Sequence, residues 1–143
     1  MNATQASAQM INEMLRAWGR QGPKEGLAAF LKVWEEFLAK DDFTMGCPIV
    51  SAVLARNSLP EAAAVADECL AGWEEAIRAN LIEYGVSDES AGSLATMILS
   101  ALEGATIRCL SSSSAEPMYA THRHLAEVLA LHVPEPGDGR GRH

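Results

Sequence analysis

Ser87 to Leu110, SDESAGSLATMILSALEGATIRCL, is the stretch that decides the fold. Ser87 is placed to cap the first turn of a helix, Asp88 and Glu89 suit its positive end, and only Glu103 and Arg108 follow as charges. Such a helix has almost no polar face. It belongs in a large core, in a membrane, or between a core and a partner. A membrane span needs about 20 predominantly apolar residues, and Gly92, Ser93, Thr96, Ser100, Glu103, Gly104 and Thr106 interrupt this run, which argues against the membrane. Gly92, Thr96, Ser100 and Gly104 recur every fourth residue as a ridge of small side chains that a second helix can approach closely. The opposite side carries Leu94, Met97, Ile98, Leu102 and Cys109. The expectation is a helix with one side on the protein's own core and the other on a second copy of the chain.

The surrounding composition agrees with a helical domain. The chain has 143 residues, 48% hydrophobic and 21% charged, enough for one globular domain with a real core. Aromatics are 6%, Ala, Leu and Glu are abundant, and no useful length alternates apolar and polar residues. The fold class is therefore read as all-α. The net charge is −8, and the whole excess lies beyond Asn57, while all three lysines precede Asp41. With no basic patch, these residues are poor candidates for binding nucleic acid or anionic membrane surfaces. Cys47, Cys69 and Cys109 are far apart and form no Cys-x-x-Cys pair, which argues against a disulfide framework or a zinc site and fits a reducing cytoplasm. The opening MNATQASAQM lacks the pattern of a signal peptide.

Outward from the central stretch, a polar turn at Ser111–Ser114 leads to a final helix opened by Pro117, on which Met118, His122, Leu125, Leu129 and His132 align. Before it, Ser58-Leu59-Pro60-Glu61 reads as a capping box opening a long helix that ends near Tyr84, with Gly85 as a left-handed cap. Ala62, Ala66, Cys69, Trp73, Ile77, Leu81 and Tyr84 form its apolar face, and Glu68, Glu75, Arg78 and Asn80 are expected in water. Upstream, a short helix over Ile49–Ala55 follows the irregular link Phe43–Pro48. A helix opened by Pro23 and ending near Asp41 carries Leu27, Phe30, Leu31, Trp34, Phe37 and Leu38. The first helix covers Thr4–Trp18, with Met10, Ile11, Met14, Leu15 and Trp18 at helical spacing. That makes six helices in one domain, residues 1–133, followed by a Pro- and Gly-rich tail, 134–143, expected to be disordered. The last two helices are expected to be antiparallel neighbours because their link is short.

The order FLKVWEEFL (Phe30–Leu38), DFTMGCPIV (Asp42–Val50), LPE around Pro60, WEEAI (Trp73–Ile77) and SALEGA (Ser100–Ala105) resembles the C-terminal domain of TetR-family transcriptional regulators. The branch it looks most like is that of the lincomycin-resistance repressors. The likeness covers Gly22 to His132, and it is the Gly-Cys-Pro and Leu-Glu-Gly-Ala motifs at this separation that make it specific. The resemblance implies a helical bundle that binds a small apolar or amphipathic effector, with the last two long helices forming a four-helix dimer interface. It also implies an N-terminal helix-turn-helix for DNA, which these residues do not contain. The expectation is a fragment whose DNA binding is supplied elsewhere in a longer protein, rather than a stand-alone descendant.

Candidate ligand-binding residues are Met10, Met14, Trp18, Phe30, Trp34, Met45, Cys47, Trp73, Ile77, Met97 and Glu103. Each of the apolar ones alone is an ordinary core residue, but a core this rich in Trp and Met suits an adaptable apolar pocket. Glu103 sits amid apolar neighbours and should be paired, with Arg108 or a backbone N–H, or exposed at a cavity. The candidate dimer interface is Gly92, Thr96, Ser100 and Gly104 with Met118, His122, Leu125 and Leu129. His122 and His124 are two apart and point to different helix faces, so no metal site is expected, nor any cofactor. Glu35, Glu36, Glu74 and Glu75 read as solvated surface, since adjacent helical residues do not face a common point.

The favoured function is an effector-sensing, homodimeric domain of a transcriptional repressor, not an enzyme. A structural dimer with a filled core is the alternative. A Cys47-dependent enzyme is the third reading, but no nucleophile motif, Gly-rich phosphate loop or metal-ligand spacing accompanies that cysteine.

Overall fold

A computed structural model describes residues 9, 11–13, 15, 16, 18–40 and 47–134. Among them the regular structure is helical throughout. Helix α1 comprises the described residues 9, 11–13, 15, 16, 18 and 19. It is followed by α2 (Pro23–Lys40), α3 (Pro48–Leu54), α4 (Pro60–Glu83), α5 (Asp88–Ser112) and α6 (Glu116–His132). Helix α5 packs between α4 and α6, α2 lies on α6, and α3 lies on α4. Met10, Met14, Met45, most of the Phe43–Pro48 link and the tail beyond Pro134 lie outside the described residues.

The ends of α5 follow from local chemistry. The Ser87 hydroxyl accepts the Ser90 N–H at 3.3 Å, and Asp88 and Glu89 occupy the first turn. At the far end Ser113 turns left-handed (φ 50°). Its N–H bonds the Leu110 carbonyl while the Ser114 N–H reaches back to Cys109. Helix α4 ends in the same way. Gly85 (φ 99°) bonds Ile82, and Val86 bonds Leu81. The same closure is thus made once with the expected glycine and once with a serine.

The start of α4 corrects the capping box. The cap position is Leu59, one residue later than expected, with Pro60 following and no side-chain cap. Ser58 instead donates its hydroxyl to the Ala55 carbonyl at 3.1 Å. The tight turn leaving α3, in which Ser58 and Leu59 N–H groups bond Ala55, draws the serine backwards. Asn80 is a second correction: it is 6% exposed rather than in water. It stands seven residues from Trp73, two turns along the same stripe, so the stripe's burial carries it inward. No hydrogen-bond partner for its amide is found among the described residues.

Helix α5 has one side in this chain's own core and one side exposed. Ala91, Leu94, Ala95, Ile98, Leu102, Ala105, Thr106 and Cys109 are buried, while Ser93, Thr96, Met97, Ser100, Gly104 and Ile107 are exposed. By length and composition α5 is apolar enough to cross a membrane; in the bundle, that apolarity serves contacts with α4 and α6. Met97 was expected on the core side and is 39% exposed. At 3.6 residues per turn it lies roughly 120° around the helix from the centre of the buried face, alongside Gly104.

Helix α6 also departs from expectation. Met118, Leu125 and Leu129 are buried in this chain's own core, because α2 and α5 cover the stripe that the dimer reading assigned to a partner. His122 is half-buried, in a shallow depression shared with Ala28, Leu31, Lys32 and Glu35 of α2.

Candidate functional site

Spacing on α2 places Phe30, Trp34 and Phe37 along one side of the helix, at i, i+4 and i+7. Their rings form a row: the Phe30 and Trp34 centroids are 6.5 Å apart and those of Trp34 and Phe37 are 5.1 Å apart, nearly parallel. Trp18 of α1 extends the row, 5.9 Å from Phe30. It reaches Phe30 over Gly26. A β-carbon at that position would stand 2.2 Å from Trp18 Cδ1.

Facing this row, Trp73 and Ile77 project from α4, and Leu99, Leu102 and Glu103 from α5. Together with Ile11, Leu15 and Trp18 of α1 and Phe30 and Trp34 of α2, they enclose a cavity. It is small: about 20 Å³ is open to the centre of a water-sized sphere, room for roughly one water. Six residues expected at the ligand site, Trp18, Phe30, Trp34, Trp73, Ile77 and Glu103, thus meet around one space. Met97 does not join them, and Cys47 is buried beside Glu103 without lining the cavity. Ile11, Leu15, Leu99 and Leu102 were not assigned to the site. Their signal was available: Ile11 and Leu15 are one turn apart, as are Trp73 and Ile77, and Leu99 and Leu102 lie within the turn before Glu103 on the same helix.

The indole N–H groups are mostly engaged in holding the wall. Trp34 Nε1 donates to Thr106 Oγ1 at 2.8 Å, and that hydroxyl donates onward to the Leu102 carbonyl at 2.8 Å. Trp73 Nε1 donates to Asn12 Oδ1 at 3.1 Å, tying α4 to α1. The Trp18 N–H is buried and finds no acceptor among the described residues.

Glu103 is the one ionisable side chain among the cavity-lining residues. Burial pushes its carboxyl up from an ordinary 4.5 to about 6, and the Cys47 thiol beside it acts in the opposite direction. Arg108 does not pair with it: that guanidinium bonds Ser111. The two residues are five apart on α5 and leave the helix in different directions. The Cys47 thiol is pushed up to about 11, first by burial and then by the Glu103 charge. That is the reverse of what a nucleophilic cysteine needs. No three His, Cys, Asp or Glu side chains among the described residues are grouped to hold a metal. Of the surface acids, Glu75 pairs with Arg78 at 2.8 Å, and Glu35 accepts the Tyr119 hydroxyl.

Comparison with known proteins gives these features a context. A family profile, "Transcriptional regulator LmrA/YxaF-like, C-terminal domain", matches residues 23–124. Two curated relatives are uncharacterised HTH-type transcriptional regulators of Mycobacterium tuberculosis, strains CDC 1551 / Oshkosh and ATCC 25618 / H37Rv. Each is 28% identical across 90% of this chain. The chain spans 66% of the length of those relatives. No solved structure matches significantly. The profile runs from the first residue of α2 well into α6, and on that basis the chain belongs to the LmrA/YxaF-like group of TetR-type transcriptional regulators, as their C-terminal domain.

Proposed function

We propose that this domain senses a small apolar or amphipathic molecule in the cavity between α1, α2, α4 and α5, and that binding changes how a helix-turn-helix head carried outside these residues engages DNA. The observation that carries the reading is the convergence of three tryptophans, a phenylalanine and one half-buried carboxyl on a single space. Ligand sites have this composition, mostly apolar with a few placed polar groups. Helix α1 supplies Ile11, Leu15 and Trp18 to the wall. A ligand larger than a water displaces that wall, and a displaced α1 transmits the change toward the preceding part of a longer protein. The regulator acts as a cytoplasmic repressor and as a homodimer. The exposed side of α5, around Gly92, Thr96, Ser100 and Gly104, is the seam. A side chain added at Gly92 or Gly104 meets nothing within 4 Å in the single chain, so this side has room for a partner.

The test is a thermal-shift screen of the chain against apolar and amphipathic compounds. The expected result is a rise in Tm with at least one compound, lost in Trp34→Ala or Trp73→Ala. Sedimentation of Ser100→Arg, a substitution on the open side of α5, should show a monomer that keeps its helical content. The small free volume favours a second reading, a purely structural dimer with a filled core. Failure of every compound to raise Tm decides for it.

A further inference from the structure

Within the sensing reading just given, on which this inference rests, we propose that the cavity selects an organic cation: a molecule whose ammonium group meets Glu103 while its hydrocarbon body lies against the indole faces. Four observations lead there. Among the described residues, Glu103 is the only ionisable one lining the cavity, and no cationic side chain lines it. The ion pairs among the described residues are Glu75–Arg78 and Glu127–His124, both exposed, so Glu103 has no counter-charge among the described residues. Its polar neighbour is the Cys47 thiol, a weak donor that leaves most of the carboxylate's hydrogen-bonding capacity unused. The Trp34 and Trp73 N–H groups are turned to Thr106 and Asn12.

What those two indoles offer an occupant is therefore aromatic carbon. The π-face of an indole attracts cations more strongly than that of any other side chain, and the attraction grows when water is excluded. A carboxylate among tryptophans is thus doubly selective. It draws a positive group by charge and hydrogen bonding, and the rings around it favour the same sign. Neutral ligands of equal shape receive the apolar contact and at most one hydrogen bond from a neutral donor, without the attraction of opposite charges. Anions meet the Glu103 charge, against which the lining sets one neutral donor, the Trp18 N–H, and no cation among the described residues.

The experiment is calorimetric titration of the chain at pH 7.5 with three probes sharing one hydrocarbon body: 3-phenylpropylamine, 3-phenylpropanol and 3-phenylpropanoate. The expected order for wild type is amine about tenfold tighter than alcohol, with the carboxylate weakest. In Glu103→Gln, checked for native helicity by circular dichroism, amine and alcohol should bind within about twofold of each other while the alcohol is unchanged. Glu103→Asp, which keeps the charge, should retain part of the preference. Equal binding of amine and alcohol to wild type overturns the cation selectivity while leaving a sensing pocket in place. So does an amine preference that survives in Glu103→Gln. If none of the three binds and no compound in the thermal-shift screen raises Tm, the sensing reading falls and this one with it.

Discussion

Removing the charge of Glu103 should make the empty domain more stable, and by an amount the structure sets. In an unfolded chain this carboxyl titrates near 4.5, and in the fold burial raises it to about 6. Between those values the folded state holds a proton that the unfolded state has lost, so stability falls as pH rises through the window. Below it both states are protonated and burial of the charge costs nothing. Above it both are ionised and the whole penalty is present. A difference of about 1.5 pH units at 1.36 kcal/mol each corresponds to roughly 2 kcal/mol. Glu103→Gln removes that penalty, less whatever its own amide loses on burial, so its advantage over wild type is at most about 2 kcal/mol at pH 7.5. By the usual scaling for domains near this size, that is a rise in Tm of roughly 4–8 °C. At pH 4.0 the advantage should vanish. That pH also stays clear of the isoelectric point of 4.9, where solubility is lowest. The assay is urea unfolding followed by tryptophan fluorescence at the two pH values. Taking the difference between variant and wild type cancels the other titrating groups. Equal differences at both pH values, or a variant less stable than wild type at pH 7.5, would refute the assignment of Glu103 as a half-buried carboxylate with no cationic partner among the described residues.

Thr106→Val should destabilise by about 1–3 kcal/mol, because it strands the buried Trp34 N–H, whereas Thr106→Ser keeps the acceptor and should lose far less; chemical denaturation distinguishes them. Gly26→Ala places a methyl 2.2 Å from Trp18 Cδ1 and must push that ring off α2. A loss of about 1–3 kcal/mol with a changed near-ultraviolet circular dichroism signal is expected, and an unchanged spectrum would contradict the contact. Of the three thiols only Cys69 is even half-open to solvent. Iodoacetamide on the native chain should therefore label Cys69 first and leave Cys47 and Cys109 until unfolding, as peptide mass spectrometry would read.

How much of this was legible in advance depends on what each signal measures. Period and end signals are local, and they located the described helices to within a residue or two: Pro23, Pro48 and Pro60 open theirs, Ser87 caps α5 and Gly85 closes α4. Shared spacing on α2 and α4 also brought Phe30, Trp34, Trp73 and Ile77 to one space. What an apolar stripe does not carry is the identity of the surface that covers it. The stripe of α6 was assigned to a partner and is covered by this chain's own α2 and α5. Asn80 and Met97 failed for a related reason. Residue type suggested water for one and core for the other, yet angular position on the helix decided both. The capping box at Ser58 did not form: the cap falls one residue later, on Leu59, because the turn before it takes the serine. Glu103 was recognised as anomalous, but its pairing with Arg108 was misjudged: a spacing of five sends the two side chains in different directions, and Arg108 bonds Ser111 instead.

Helix α5 is 25 residues long, a rod of about 37 Å, with the cavity wall on one flank and the open ridge on another. Glu103 and Gly104 are consecutive, so the group that would meet a ligand and the groove that would meet a neighbouring helix are adjacent positions on one rod. A rod cannot roll on one flank alone. A turn of about 10° about its axis carries the tips of side chains, some 5–6 Å out, by roughly 1 Å on both flanks at once. Whatever docks on the ridge therefore resets the geometry of the wall, and an occupant of the cavity resets the ridge. By linkage the two effects are equal in free energy: an occupant that tightens association by some factor is itself held tighter by the associated form, to the same factor.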